Sequence, residues 1–126
     1  MANILVIDDD KVVAGMISAF LTSGGHAVRI ATDGKMGMES IAAHPTDLAV
    51  MDMFMPEKDG LEVIRELRAL RPDFPVIAIS GGGTAAGGAD ILNIARILGA
   101  KAVLTKPVLK AELLAAVEKC LGPRTA

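Results

Sequence analysis

The sequence predicts an α/β protein that is built on one parallel β-sheet. Apolar runs of strand length alternate with segments of helical periodicity, five of each, and this alternation is typical of repeated strand-helix units. Four of the apolar runs also end in residues suited to phosphoryl chemistry, namely Asp8 with Asp9, Asp52, Ser80 and Lys106. Because the carboxyl ends of parallel strands share one edge of a sheet, these side chains are expected to meet in one crevice.

The five predicted strands are short and mostly apolar, as buried strands of a parallel sheet should be. The second strand alternates apolar and polar residues more than the others do, which favours a position at the edge of the sheet. The strands are expected at residues 3–8, 26–31, 47–51, 76–79 and 102–104.

Helical periodicity fills the segments between these strands. Asp10 stands where an N-cap would. The first helix then carries an apolar i, i+4 stripe formed by Val12, Val13, Met16, Ile17, Phe20 and Leu21. Further helices are expected at about residues 35–43, 61–70, 89–98 and 110–121, and Gly99 fits a left-handed cap at the end of the fourth helix.

Length and composition limit the classes of protein that the chain can represent. Its 126 residues suffice for one domain, expected over residues 1–122 with a short tail over 123–126. A hydrophobic fraction of 52% argues against disorder, and no apolar stretch reaches the roughly 18 residues that cross a bilayer. A net charge of −2 and only three aromatic residues argue against direct nucleic-acid binding. Because no leader precedes the first strand and Cys120 is the single cysteine, a cytoplasmic location is expected.

The carboxylates at the strand ends exceed what helix capping requires. Asp8 and Asp9 would repel each other at a buried edge unless a cation neutralised them, and Mg²⁺ with oxygen ligands fits best. Asp52 ends an apolar strand, where a lone carboxylate is costly to bury, and the next helix begins only near Gly60. Asp52 is therefore the candidate nucleophile, which would form an acyl phosphate.

Lys106 and Ser80 are weaker signals when each is taken alone. A lysine at a strand end is common, and a serine before three glycines is typical of a turn. Opposite the carboxylates, however, Lys106 would pair first with them and then with phosphoryl oxygens, to which Ser80 would donate a hydrogen bond. The glycine-rich segment 81–88 lacks the lysine ending of a P-loop and is interpreted as a mobile loop. His26 and His44 lie away from this edge and receive no role.

Together these residues resemble the receiver domain of bacterial two-component response regulators, and the resemblance covers essentially the whole chain. It rests on four segments in the family's order and spacing: Ile-Leu-Val-Ile-Asp-Asp-Asp, Met-Asp-Met-Phe-Met-Pro-Glu-Lys-Asp-Gly, Val-Ile-Ala-Ile-Ser and Leu-Thr-Lys-Pro. The resemblance implies a flavodoxin-like (βα)5 fold with strand order 2-1-3-4-5 and helices on both faces of the sheet. The resemblance is to a receiver of the chemotaxis-regulator type that forms a single domain, and both a natural single-domain regulator and a receiver cut out of a longer protein remain open.

The resemblance also implies a role for each site residue. Asp52 would take a phosphoryl group from a histidine kinase or a histidine phosphotransfer protein, while Ser80 and Lys106 would bind the phosphoryl oxygens. The Mg²⁺ ligands would be Asp8, Asp9, Asp52 and the backbone carbonyl of Phe54. No other cofactor is implied, and the bond from Lys106 to Pro107 is similar to a cis bond of the family.

Two features depart from the family pattern. Val103 occupies a position that usually carries an aromatic switch residue, and the loop after Ser80 is unusually rich in glycine. Phosphorylation is therefore expected to order this loop and to shift the fourth helix. That helix has Leu92 and Ala95 on one face and Ile91 and Ile94 on another, so a downstream protein or weak self-association is expected at the second face. The chain would then be a monomer or a weak dimer.

Three classes of function remain open from the residues. The leading hypothesis is a signalling module switched by its own phosphorylation, which is not a metabolic enzyme. An aspartate-nucleophile phosphatase of the haloacid dehalogenase type would place a second Asp two positions after the nucleophile, where this chain has Phe54. A constitutive protein-binding module with a receiver fold is the alternative that only measured phosphorylation would exclude.

Overall fold

Five strands alternate with five helices along the chain, as the sequence predicts. A computed structural model describes residues 2–53, 60–80 and 88–122, and over residues 88–92 it describes the backbone only. The strands are β1 (Asn3–Ile7), β2 (Ala27–Ala31), β3 (Leu48–Asp52), β4 (Val76–Ser80) and β5 (Ala102–Thr105). The helices are α1 (Lys11–Ser23), α2 (Gly34–Ala43), α3 (Gly60–Leu70), α4 (Gly88–Leu98) and α5 (Lys110–Leu121).

All five strands pair in parallel, in the order β2-β1-β3-β4-β5. The predicted topology is confirmed, and so is the edge position of the second strand. The register places Ile7 opposite Met51, and Ser80 opposite Thr105. The residues that end β1, β3, β4 and β5 therefore meet at one edge of the sheet.

Helices cover both faces of the sheet, which confirms the predicted architecture. The layer formed with α2, α3 and α4 includes Ile41, Ile64 and Ala95, all of them buried. The opposite layer, formed with α1 and α5, includes Ile17 and Leu113. Because β3 and β4 are buried along their whole length, the two layers fix the central strands and hence the positions of their polar ends.

The start of α1 confirms one prediction and refines another. Asp10 caps the helix, because its Oδ1 accepts hydrogen bonds from the backbone N–H groups of Val12 at 3.0 Å and Val13 at 3.2 Å. Of the predicted apolar stripe, Ile17 is buried, whereas the Val12 side chain is 82% exposed. The difference arises because a small residue, Ala14, also faces the sheet and shifts the buried side of the helix away from Val12.

The end of α4 also confirms its prediction. Gly99 has a φ of 120°, and the N–H groups of Gly99 and Ala100 both donate to the carbonyl of Ala95, at 3.1 and 2.9 Å. This is the left-handed glycine cap that a C-terminal turn requires.

Several predictions concern residues outside the described ranges: the Phe54 ligand, the loop over residues 81–87, the side chains of Ile91 and Leu92, and the tail 123–126. Within the described ranges, none of the helices combines the length and the apolar character needed to cross a membrane.

Candidate metal centre at the carboxyl edge of the sheet

Three buried polar side chains lie at the carboxyl edge of the sheet. Asp8 follows β1, Asp52 ends β3 and Ser80 ends β4, and among the described residues these are the only polar or charged ones that are buried. Since burying a polar group away from water costs free energy, the clustering of three such groups at one edge of the sheet indicates a candidate functional site.

Asp8, Asp9 and Asp52 form an acidic cluster. Each offers a carboxylate oxygen, and these oxygens lie within 4.8 Å of one another. Asp8 Oδ1 accepts a hydrogen bond from the N–H of Asp10 at 2.9 Å, whereas Asp8 Oδ2 is buried and accepts none from the described residues. Oxygen ligands at this spacing suit a hard divalent cation such as Mg²⁺, which prefers carboxylates and retains water.

Lys106 supplies the positive charge that faces this cluster. Its Nζ lies 3.6 Å from Asp8 Oδ2 and 3.6 Å from Asp52 Oδ2, and its side chain is 24% exposed. When all these groups are ionised, one ammonium leaves the three carboxylates with an excess of two negative charges. The residues therefore fit a divalent cation in charge as well as in ligand type.

The end of β5 positions Lys106. The N–H of Lys106 donates to the carbonyl of Ser80 at 2.8 Å, which ties the residue to the end of β4. The bond between Lys106 and Pro107 is cis, as the resemblance implied. The hydrogen bond to Ser80 holds Lys106 at the same edge as the carboxylates, although Lys106 lies 54 residues after Asp52 in the sequence.

Ser80 brings a hydroxyl group into the site. Its side chain is 1% exposed, and Oγ has no hydrogen-bond partner among the described residues. Because Ile79 pairs with Asp52 in the sheet, Ser80 lies one strand from the candidate nucleophile and one residue beyond it. A desolvated hydroxyl without a partner is the group expected where an anionic ligand will accept its hydrogen bond.

Gly60 is a site-positioning residue, whereas the sequence pattern predicted only that the next helix begins near it. Its N–H donates to the carbonyl of Met53 at 3.3 Å, and a Cβ at this position would lie 2.8 Å from the carbonyl oxygen of Asp52. Only a residue without a side chain lets α3 begin directly against the backbone of the candidate nucleophile. A glycine at the first position of the helix that follows the acidic strand was the available signal.

Two other predicted residues lie where expected. His26 sits at the opposite end of the sheet, where its Nδ1 accepts a hydrogen bond from the N–H of Ala2 at 3.1 Å. Val103 is half-buried and packs on the layer formed with α2, α3 and α4.

Of the proposed site residues, the structure brings together Asp8, Asp9, Asp52, Ser80 and Lys106.

Known proteins share this arrangement of fold and sequence. A family model described as the response regulator receiver domain matches residues 4–118 of the chain. The response regulator MprA of Mycolicibacterium vanbaalenii is 35% identical over 123 residues, which is 98% of this chain and 52% of that protein. MprA of Mycobacterium ulcerans is 36% identical over 119 residues, covering 94% of this chain and 50% of that protein. The chain thus spans about half the length of the curated relatives it matches.

Solved structures give the same result. A response regulator receiver domain protein from Clostridium thermocellum superposes with a TM-score of 0.87 and 29% identity, over 96% of this chain and 94% of that one. A CheY-like receiver domain protein from Methanospirillum hungatei superposes with a TM-score of 0.85 and 26% identity, again over 96% of this chain and 94% of that one.

Proposed function

Because the chain belongs to the response regulator receiver family, we propose that it is a signalling module switched by Mg²⁺-dependent phosphorylation of Asp52. A histidine kinase or a histidine phosphotransfer protein would donate the phosphoryl group. One observation carries the proposal: the buried polar residues Asp8, Asp52 and Ser80 converge at one edge, with the Lys106 ammonium facing two of them. Polar and charged groups are costly to bury unless they are paired, hydrogen-bonded or bound to a ligand, so their convergence at one edge supports a binding site there.

The acidic cluster is proposed to hold the metal ion. Asp8, Asp9 and Asp52 would each supply a carboxylate oxygen, and the resemblance adds the backbone carbonyl of Phe54. When bound, Mg²⁺ neutralises negative charge on the phosphoryl oxygens. The excess negative charge of the cluster supports this assignment.

The residues of the chain divide the remaining work. A carboxylate oxygen of Asp52 attacks the phosphorus of the donor, forming a P–O bond while the P–N bond breaks and its electron pair returns to the imidazole. Lys106, which faces the Asp52 carboxylate at 3.6 Å, then pairs with a phosphoryl oxygen. Ser80 donates its unpartnered hydroxyl to another phosphoryl oxygen. Apart from self-phosphorylation and autodephosphorylation, no enzymatic activity is proposed.

Exposed apolar side chains near the site suit a docking phosphodonor. Val12 and Met16 lie on α1, and Leu109 precedes α5, and all three are exposed. The two helices contact each other and both begin at the edge that carries the acidic cluster. An apolar surface beside the acceptor would orient the donor imidazole toward Asp52.

The output surface is proposed to lie on α4. Ile94 is 42% exposed and Ile97 is 82% exposed, one turn apart on the same helix. A helix that packs against a sheet needs only one apolar face, and these isoleucines face solvent outside it. Their exposure supports a downstream protein partner or weak self-association. A cytoplasmic location is also proposed, and neither a membrane nor a nucleic acid is proposed as a direct partner.

Intact-mass measurement tests the proposal. The parent protein, Asp52→Asn and the control Asp33→Asn are each incubated with acetyl phosphate and Mg²⁺. Asp33 caps α2 and does not belong to the acidic cluster, and asparagine caps equally well, so this control removes a carboxylate from the same edge of the sheet without touching the acceptor. We expect one phosphoryl group on the parent and on Asp33→Asn, none on Asp52→Asn, and none on any protein when EDTA is present.

Two results would contradict the proposal. Equal labelling of Asp52→Asn would place the acceptor elsewhere. A parent that stays folded and binds Mg²⁺ but gains no phosphoryl group would favour the constitutive protein-binding module.

A further inference from the structure

The side chain of Arg68 joins the C-terminal ends of α3 and α4. Arg68 lies in the last turn of α3, and its Nη2 donates to the carbonyl of Phe74 at 2.6 Å and to that of Gly99 at 2.7 Å. Its Nη1 donates to the carbonyl of Pro72. Pro72 and Phe74 lie between α3 and β4, whereas Gly99 directly follows α4. One guanidinium therefore binds backbone from two separate connections of the fold.

The contact between Arg68 and Gly99 is close. A Cβ on Gly99 would lie 3.0 Å from Arg68 Cδ and nearer still to Nε, and the φ of 120° at this position already favours glycine. Arg68 Nε is buried and donates to no described acceptor. The guanidinium is thus packed against the helix cap, unlike a mobile surface arginine.

Backbone hydrogen bonds fix the same end of α4. The carbonyl of Ala95 accepts from two N–H groups of the glycine cap, and the N–H of Lys101 donates to the carbonyl of Val76 at 2.9 Å. Ala95 itself is fully buried. The C-terminal end of α4 is therefore held by the sheet, by its own cap and by Arg68.

The chemistry of the guanidinium suits an anchor. Carbonyls at a helix C-terminus carry partial negative charge, which a cation stabilises. The planar guanidinium offers five N–H donors in a fixed geometry, so it can donate hydrogen bonds to several carbonyl oxygens at the same time.

The other end of α4 begins at Gly88, on the side of the sheet where Ser80 ends β4. Within β5, Val103 carries a β-branched side chain that has a single side-chain torsion and no ring to rotate. Since no aromatic ring at this position can rotate, movement of the helix itself is the route considered for a signal that reaches the outer face of α4.

We propose that Arg68 is the pivot about which α4 turns when Asp52 is phosphorylated, which moves Ile94 more than Ile97. This inference rests on the proposed function. The 11 residues of α4 extend about 16 Å at a rise of roughly 1.5 Å per residue. A rotation of about 10° about the C-terminal end would move the N-terminal end by about 3 Å, from the same helix dimensions.

Backbone NMR of phosphorylated and unphosphorylated protein tests the pivot. In the parent, with acetyl phosphate and Mg²⁺, amide shift changes along α4 should decrease from Gly88 toward Gly99. In Arg68→Met, which keeps the apolar stem and removes the hydrogen bonds, we expect this gradient to be lost. Amide exchange at Gly99 and Ala100 should rise about tenfold, as expected when charge-assisted hydrogen bonds are lost.

Arg71→Met is the matched control. Arg71 lies three residues further along, over the ring of Phe74 at 5.9 Å, with its Nη2 3.5 Å from the carbonyl of Ile41. Since these described contacts do not involve α4, the gradient should persist in this variant. If Arg68→Met fails to fold, Arg68→Lys replaces it, because one ammonium cannot span all three carbonyls and the gradient should still flatten.

Each outcome decides one question. An unchanged gradient in a folded, phosphorylated Arg68 variant overturns the pivot, even if amide exchange at Gly99 increases, because Arg68 would then be only structural. Loss of the gradient in Arg71→Met would overturn it as well. Absence of phosphorylation in the parent, detected by mass, overturns the proposed function instead.

Discussion

Lys106 Nζ lies 3.6 Å from Oδ2 of Asp52, a carboxylate that is 5% exposed. Lys106→Met leaves this carboxylate without its ammonium partner, and Asp8 loses the same partner. Without divalent cations, we expect the free energy of unfolding to fall by about 1–3 kcal/mol. This loss is smaller than the one expected for a fully buried ion pair, because the lysine is partly exposed. Urea denaturation measures the change.

Magnesium and a distant lysine provide the controls for Lys106→Met. Mg²⁺ should recover part of the loss, because it neutralises the same carboxylates. Lys35→Met, at an exposed position of α2, should change stability by less than about 0.5 kcal/mol. Equal losses in the two variants would contradict the role given to Lys106.

Gly60→Ala should disturb the acceptor backbone. The new Cβ would lie 2.8 Å from the carbonyl oxygen of Asp52 and 2.8 Å from Cα of Met53, so α3 or the end of β3 must shift. We expect a loss of about 1–3 kcal/mol in stability, typical of overpacking, together with slower phosphorylation by acetyl phosphate.

Gly15→Ala is the matched substitution for Gly60→Ala. Nothing lies within 4 Å of a Cβ at Gly15, an exposed position in α1, so alanine should stabilise the protein by up to about 1 kcal/mol. Denaturation of the two variants side by side separates close approach from helix propensity. A stabilising Gly60→Ala would refute the close-contact argument.

Asp10 should affect stability but not phosphorylation. Its Oδ1 caps α1, so Asp10→Ala should lower the free energy of unfolding by about 1 kcal/mol, whereas Asp10→Asn keeps the cap and should change it little. Mass measurements should find phosphorylation intact in both. A strong loss of phosphorylation in Asp10→Asn would instead give Asp10 a part in the acidic site.

Ile94 and Ile97 should be dispensable for folding. Because both side chains face solvent, the free energy of unfolding of the double variant Ile94→Gln, Ile97→Gln should lie within about 0.5 kcal/mol of that of the parent. The variant should still accept a phosphoryl group from acetyl phosphate. Self-association or partner binding, measured by sedimentation, should weaken. Ala95→Gln, on the buried side of the same helix, should strongly destabilise the protein. An equal loss of stability in the double isoleucine variant would mean that the isoleucines are core residues.

Burial raises the pKa of the Cys120 thiol, and the nearby charges of Lys101 and Lys119 oppose the effect without cancelling it. The unfolded chain therefore loses this proton at a lower pH than the folded chain does. Stability contributed by the neutral thiol is present below the unfolded pKa of about 8.5 and is lost as the pH rises toward the raised value. Urea denaturation between about pH 7.5 and 9.5 should show a larger decline in the parent than in Cys120→Ala. Parallel declines would contradict the assignment.

Much of the fold was predictable from local patterns. Strand and helix positions agree with the structure to within one or two residues, because short apolar runs and helical periodicity reflect burial directly. The cap at Asp10 and the left-handed turn at Gly99 were also predictable, since each follows from the chemistry of a single residue. Strand order came from the resemblance, and the sheet confirms it.

The exposure of particular side chains was not predictable from periodicity. Val12 belongs to an apolar stripe in the sequence yet faces solvent, because the sheet meets α1 on the side of Ala14 and Ile17. Likewise, Gly60 carries no chemistry of its own, and its importance depends on the backbone of Asp52 lying against it. Both facts depend on how separate elements pack.

By itself, then, the sequence determined which residues can perform the chemistry and which elements present them, because residue type and periodicity are local properties. The tertiary structure alone decided how closely those residues meet: the Lys106 ammonium between two buried carboxylates, the unpartnered hydroxyl of Ser80, and the Arg68 guanidinium on the cap of α4. Such contacts join residues far apart along the chain. Their geometry is set by the packing of helices on the sheet, which no local pattern encodes.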